Sequence, residues 1–309
     1  MKIAVIAGGT GAAKLVEGLV RIEDPSSISI IVNVGDDTEM HGLYICPDFD
    51  MIAYTMAGII DPVKKWGIAD DTFQCLGMLQ NYDPASSWFN LGDKDLATHV
   101  FRTRLLKEGA TLTIVAGKIL AALHVEARLL PCTDDRLRTI IRSGTDFLDF
   151  QHYFVKEHAE PVADEIIFDG SEIAKATPEV MVALDGADKI VIAPSNPYLS
   201  IDPILAIDDI KQALVRRKDD VAFVSPVVAG DAIKGPTVKI MKERGLDPSC
   251  VSVAQHYQSI ATSAFIDIQD EAFQGDVEAL GYYVHVSDTI MDNLEKKENL
   301  ARFIVSELC

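Results

Sequence analysis

Lys2-Ile3-Ala4-Val5-Ile6-Ala7 runs directly into Gly8-Gly9-Thr10-Gly11 and then into Ala12-Ala13-Lys14-Leu15-Val16-Glu17-Gly18-Leu19-Val20. The first run is short, apolar and closed by glycines, which reads as a buried strand over residues 2–7. The last run carries helical spacing over residues 12–20. Small residues between a strand and a helix let backbone N–H groups turn toward a phosphate at the positive helix terminus, which suggests a nucleotide or phosphate ester. A tight turn that simply requires φ > 0 is the plain alternative. Lys14 stands where a dinucleotide fingerprint needs its third glycine, and no G-x-x-x-x-G-K-[ST] occurs. An NAD-dependent oxidoreductase is disfavoured on that ground.

The alternation recurs along the chain. Residues 29–34, 189–193 and 221–224 read as further strands, and residues 207–217, 237–244 and 293–308 as helices. Repeated βα units predict an α/β fold, a doubly wound and mostly parallel Rossmann-like sheet. The middle differs. Residues 71–79 and 93–105 read as amphipathic helices, whereas 129–132, 146–156 and 165–168 read as extended. Residues 1–59 and 178–309 are therefore expected to form a nucleotide- or phosphate-binding core, and 60–177 an inserted α+β cap contributing to an acceptor site.

Composition bounds the partners. The 309 residues carry 28 basic against 47 acidic side chains, a formal charge of −19, so a broad phosphate-backbone interface and hence nucleic acid are not expected. Small anions remain open if the site supplies local donors. Hydrophobic residues at 48% and charged residues at 24% suit a chain with a large core. No apolar stretch approaches the ~20 residues of a membrane span, and the N-terminal run is shorter than a signal-peptide core of ~7 to 15. The five scattered cysteines form no C-x-x-C pair, so a reducing cytoplasm is the expected location. The histidines show no H-E-x-x-H or H-x-H spacing, which argues against zinc.

Further motifs lie after strands. Asn33-Val34-Gly35-Asp36-Asp37 should place its carboxylates at the carboxyl edge of the sheet, where an acid commonly meets ribose hydroxyls, or else form a solvated turn. Pro47-Asp48-Phe49-Asp50 offers two hard oxygen ligands to Mg²⁺, which takes one or two carboxylates and completes its shell with water and phosphates. Helix N-capping by Asp48 or Asp50 is the alternative. Trp88-Phe89-Asn90-Leu91-Gly92-Asp93 precedes a helix with one face presenting Asp95, His99 and Arg102. Its aromatics can stack on a flat heterocycle, or serve as cap core beside an ordinary i, i+4 pair. Pro194-Ser195-Asn196-Pro197 and the 225–237 loop look like further parts of one anion pocket, with plain turns as the alternative.

In this order and spacing, Ala7-Gly8-Gly9-Thr10-Gly11-Ala12-Ala13-Lys14-Leu15, the Asn33 and Pro47 motifs, the Trp88 motif, Pro194-Ser195-Asn196-Pro197 and the 225–237 loop resemble the 2-phospho-L-lactate transferase family of coenzyme F420 biosynthesis from end to end. The aromatic cap motif favours this branch over gluconeogenesis-factor proteins, regulators that bind a nucleotide sugar without turnover and share the glycine loop. The resemblance implies a phosphotransferase for substituted phosphate groups (EC 2.7.8 type). It implies transfer of the phospholactyl group from lactyl-2-diphospho-5′-guanosine to the ribityl hydroxyl of the deazaflavin Fo, giving F420-0 and GMP with Mg²⁺, and it suggests a homodimer. Under it, Asp48 and Asp50 hold the metal or orient the attacking hydroxyl. Gly8, Gly9, Thr10, Gly11, Asn33, Asp36, Ser195 and Asn196 line the donor pocket, and Asp50, Trp88, Phe89, His99 and Arg102 face the deazaflavin. Such chemistry spreads diphosphate charge and needs no covalent nucleophile, which agrees with the lack of any Ser-His-Asp or Cys-His arrangement.

Overall fold

In the computed structural model, which describes residues 1–232 and 235–309, the opening apolar run is β1 (Ile3–Ala7), buried along its whole length. A strand with no polar face must be covered on both sides. Helix α1 (Gly9–Ile22) follows at once, and β2 (Ile28–Val32) returns parallel to β1, pairing Ile3 with Ile28 through Ala7 with Val32. A hairpin of β3 (Thr38–Met40) and β4 (Leu43–Ile45) leads into α2 (Pro47–Met56). Helices α3 (Gln74–Tyr82), α4 (Asp93–Lys107) and α5 (Leu112–Ala122) precede β5 (Arg128–Pro131). Next come β6 (Arg138–Ser143), β7 (Asp146–Asp149) and β8 (Glu165–Asp169), a small antiparallel sheet. The chain then lays down β9 (Lys189–Ile192) and β10 (Val221–Val224), a short hairpin of β11 (Val227–Val228) and β12 (Asp231–Ala232), and finally β13 (Ser263–Asp267) and β14 (Tyr283–Ser287).

The central sheet has the order β14-β13-β10-β9-β1-β2-β5, and every pairing in it is parallel. From β1 the chain moves outward through β2 to β5, then returns to β9 on the other flank of β1 and moves outward again. Strand order thus reverses between β1 and β9. Open α/β sheets leave a crevice at the carboxyl ends of such a pair. Over this one stand the glycine loop after β1 and the Pro194-Ser195-Asn196 loop after β9. Each fully buried Ile, Leu or Val of the supporting strands contributes roughly 1.5–3 kcal/mol, which makes the base of the crevice rigid.

Three expectations change. Residues 128–131, read as cap, are the edge strand β5, because Leu129 and Leu130 are buried when Ser29–Val32 pairs with Arg128–Pro131. Residues 60–177 therefore contain two excursions from the sheet, helical before β5 and antiparallel after it. The extended reading of 146–156 holds only as far as Asp149, beyond which His152–Lys156 forms a π-helical turn. Phe150 and Phe154 stack there at 5.3 Å, a contact that i, i+4 spacing on a helical turn permits and a flat strand does not. The helix expected from residue 71 begins at Gln74, because Asp93 accepts the Gln74 and Cys75 amides while Asp71 accepts those of Lys94 and Asp95. The two helix starts cap each other. Among the described residues, no helix is long and apolar enough to cross a membrane.

Candidate active site

A cavity of about 480 Å³ opens at the β1/β9 crevice, within the size range of small-molecule sites. Gly8, Gly9, Thr10, Gly11, Asp36, Asp48, Asp50, Phe89, His99, Ser195 and Asn196 line it. Asn33, Trp88 and Arg102 do not. Of the 225–237 loop, Pro226, Gly235, Pro236 and Thr237 reach the cavity, and Ile233 and Lys234 lie outside the described residues.

One side of the cavity offers hydrogen-bond donors. Gly9 turns the chain with φ +70° and begins α1, whose remaining first-turn N–H groups, on Thr10 and Gly11, have no intrahelical acceptor. A Cβ on Gly11 would lie 1.9 Å from the Pro194 carbonyl oxygen. Gly11 therefore has a packing reason of its own, the close approach of the two loops, beside any phosphate. Asn196 uses its side-chain oxygen to accept the Tyr198 and Leu199 amides at 3.0 and 3.2 Å, capping a π-helical turn over Pro197–Ile201. With the carbonyl end so committed, the amide nitrogen is a donor by elimination, and it is buried without a partner, as is the Ser195 hydroxyl.

The opposite side is acidic. Pro47 occupies the first position of α2, and Cys46 is its N-cap, so neither Asp48 nor Asp50 caps this helix. Both lie in its first turn, where the helix dipole favours negative charge. Their i, i+2 spacing turns them to different neighbours. Asp48 accepts the Gly9 amide at 2.8 Å and the Asn33 side-chain amide at 3.1 Å. Asn33 in turn accepts the Gly35 amide at 2.7 Å, so it serves as a strut beneath the site. Asp50 pairs through Oδ1 with Arg102, and its Oδ2 is buried without a hydrogen bond. Burial pushes Asp48 up to about 6 against those two hydrogen bonds, and raises Asp50 against the opposing pull of Arg102 and His99. Burial and then the Asp48 charge hold Asp36 well above the ordinary carboxylate range. Asp37 faces away, toward the Cys46 thiol at 3.2 Å, and burial lifts it to about 7 against the attraction of Arg138.

Behind Asp50 stands the polar face of α4. His99 Nδ1 is 3.2 Å from Arg102 Nη1, and His99 Nε2 is 3.5 Å from Asp95 Oδ2. Asp95 Oδ1 accepts the Tyr54 hydroxyl at 2.7 Å. Burial pushes the Asp95 carboxyl up, but the His99 imidazole, the Tyr54 hydroxyl and the Arg102 charge outweigh it and hold Asp95 below its usual range. Among the described residues, three potential ligands converge in one group, Asp50, Asp95 and His99, whose ligand atoms lie within 4.8 Å of one another.

The aromatic wall differs from the expected one. Trp88 meets Phe89 edge-on at 5.7 Å and lies against His152 at 6.0 Å, under Lys156, so it backs the wall instead of lining it. The rings that line the cavity are Trp66, Phe89, Phe150, Phe154 and Tyr54. The i, i+4 spacing of Phe150 and Phe154 was the signal available for two of these, hidden by reading that stretch as extended.

Comparison with known proteins gives a consistent picture. The family model of the 2-phospho-L-lactate transferase CofD matches residues 3–294. The phosphoenolpyruvate transferase of Streptomyces griseus is 36% identical over 307 residues, covering 98% of this chain and 96% of that protein. The 2-phospho-L-lactate transferase of Methanocaldococcus jannaschii is 35% identical over 313 residues (99% and 98%), and that of Methanosarcina barkeri 34% over 301 residues (97% and 96%). A solved structure of protein BH3568 from Bacillus halodurans, of the UPF0052 family, superposes with a TM-score of 0.63 at 15% identity over 98% of this chain and 99% of that one, a likeness of fold. The chain belongs to the 2-phospho-L-lactate transferase CofD family.

Proposed function

We propose that this transferase moves the 2-phospho-L-lactyl group from lactyl-2-diphospho-5′-guanosine to the ribityl hydroxyl of Fo, forming F420-0 and GMP. The observation that carries the reading is the meeting, in one cavity, of unpartnered anion donors, a bare buried carboxylate oxygen and an aromatic wall. The first-turn amides of α1, the Asn196 amide and the Ser195 hydroxyl would hold the donor diphosphate. Trp66, Phe89, Phe150 and Phe154 would hold the flat acceptor. Asp50 Oδ2 would take the proton of the acceptor hydroxyl as its oxygen bonds to the lactyl-bearing phosphorus. The bridging P–O bond breaks, and its electron pair leaves on GMP.

Mg²⁺ fits the acidic side. Asp36 Oδ1 is buried without a hydrogen bond, and the mutual repulsion of Asp36 and Asp48 is what a hard cation relieves. Asp36 and Asp48 would hold it, whereas Arg102 already balances Asp50 and leaves that residue to the hydroxyl. When bound, the ion spreads diphosphate charge.

Relatives named for phosphoenolpyruvate support a second donor, one carrying enolpyruvate in place of lactate. Incubation of the protein with Fo, Mg²⁺ and each donor in turn tests the reading, with release of GMP and the deazaflavin product followed by chromatography. Ligand binding without GMP release from either donor would support instead a regulator that binds nucleotide without turnover.

A further inference from the structure

Arg102 is 1% exposed, lies 52 residues along the chain from the acid it pairs with, and is not among the residues that line the cavity. Its fork divides between three acceptors. Nη2 pairs with Asp50 Oδ1, while Nη1 lies 3.3 Å from the Tyr44 carbonyl and 3.2 Å from His99 Nδ1. A guanidinium only donates, so His99 Nδ1 is an acceptor and the ring proton sits on Nε2, which faces Asp95 Oδ2 at 3.5 Å, an ion-pair approach outside hydrogen-bond geometry. Asp95 is fixed in turn by the Tyr54 hydroxyl, itself 2.8 Å from Thr98 Oγ1. The row Tyr54, Asp95, His99, Arg102 ends on one oxygen of Asp50; the other, 3.7 Å from His99 Nδ1, accepts no hydrogen bond, and Asp50 lines the cavity. The convergence of Asp50, Asp95 and His99 looks like a cation site by ligand type alone. The Arg102 charge already lies on Asp50, and its Nη1 takes the Nδ1 lone pair of His99.

We propose that Arg102 is a positioning residue, braced by His99 and Asp95, which holds Asp50 so that only Oδ2 meets the reacting hydroxyl. This rests on the transferase reading given above. Arg102 acts through Asp50 and touches neither substrate, so its loss should lower kcat without moving the Michaelis constants. A misplacement of about 1 Å costs roughly 100-fold in rate.

Steady-state kinetics with both substrates, beside circular dichroism, tests the role. Arg102→Met is expected to lower kcat about 100-fold, with KM for Fo and for the guanosine donor changing less than about threefold. Arg102→Lys keeps a buried cation but loses the fork, and should recover about a tenfold part of that loss. If Arg102→Met does not fold, Arg102→Lys decides alone, with kcat about tenfold below wild type at unchanged KM. Wild-type kcat in a folded Arg102 variant would overturn the positioning role and leave the transferase reading intact. A raised KM for Fo at normal kcat would also overturn it, placing Arg102 on the acceptor. No turnover by the unaltered protein with either donor would overturn both.

Discussion

Asp48 accepts the backbone amide of Gly9 at 2.8 Å, so the first turn of α2 is tied to the first turn of α1 across the mouth of the crevice. The same carboxylate accepts Asn33 Nδ2 at 3.1 Å, and Asn33 cannot rotate its amide because its oxygen holds the Gly35 amide. Acid placement and glycine-loop geometry are therefore one unit.

Asp48→Asn follows directly from that unit. An amide at position 48 can still accept from Gly9, but its nitrogen then faces the Asn33 nitrogen, two donors with no acceptor between them. A stability loss of about 1–3 kcal/mol is expected by urea unfolding, together with a higher Mg²⁺ requirement for turnover. Wild-type stability would show that Asn33 is free to turn.

Asn196→Asp separates capping from ligand binding. The carboxylate keeps the cap on the Pro197–Ile201 turn but replaces the inward-facing amide donor with an anionic oxygen. Calorimetry should find the guanosine donor bound about 100-fold more weakly, since like charges brought together cost several kcal/mol, with Fo affinity unchanged. Equal weakening of both ligands would mean that the loop, and not the donor contact, had failed.

Phe154→Ala and Trp88→Ala should behave differently although both remove an aromatic near the cavity. Phe154 is 37% exposed and lines the cavity, so its loss should raise the Fo dissociation constant roughly tenfold with little change in Tm. Trp88 packs behind, against His152 and Phe89, and its loss should lower Tm while moving Fo affinity less than about threefold. The reverse pattern in fluorescence titration would put the acceptor against Trp88.

Asp37 sets a pH dependence of stability apart from the cavity. Its carboxyl is raised from 3.8 to about 7 by burial, so the folded protein holds a proton that the unfolded chain releases. The stabilisation is complete below pH ~4 and is lost as pH rises toward ~7. Asp37→Asn removes that slope and should make the protein more stable than wild type at pH 8 in metal-free buffer, by at most about 4 kcal/mol. Parallel pH–stability curves for the two proteins would contradict the buried-acid account.

The sequence by itself determined the strand–turn–helix at Ile3–Ile22, the parallel sheet and the pairing of glycine loop with acids. Those follow from local spacing, since apolar runs bounded by glycine select a buried strand and 3.6-residue periodicity a helix, wherever the rest of the chain lies. The shared face of Asp95, His99 and Arg102 was legible for the same reason. That Arg102 on this face pairs with Asp50, 52 residues away along the chain, while Asp95 and His99 line the cavity, was decided only by the tertiary structure. So was the place of Trp88 behind Phe89, the capture of Arg128–Pro131 by the central sheet, and the inward amide of Asn196. Each depends on which distant group satisfies a buried polar atom or covers an apolar one, and spacing along the chain carries no record of that partner.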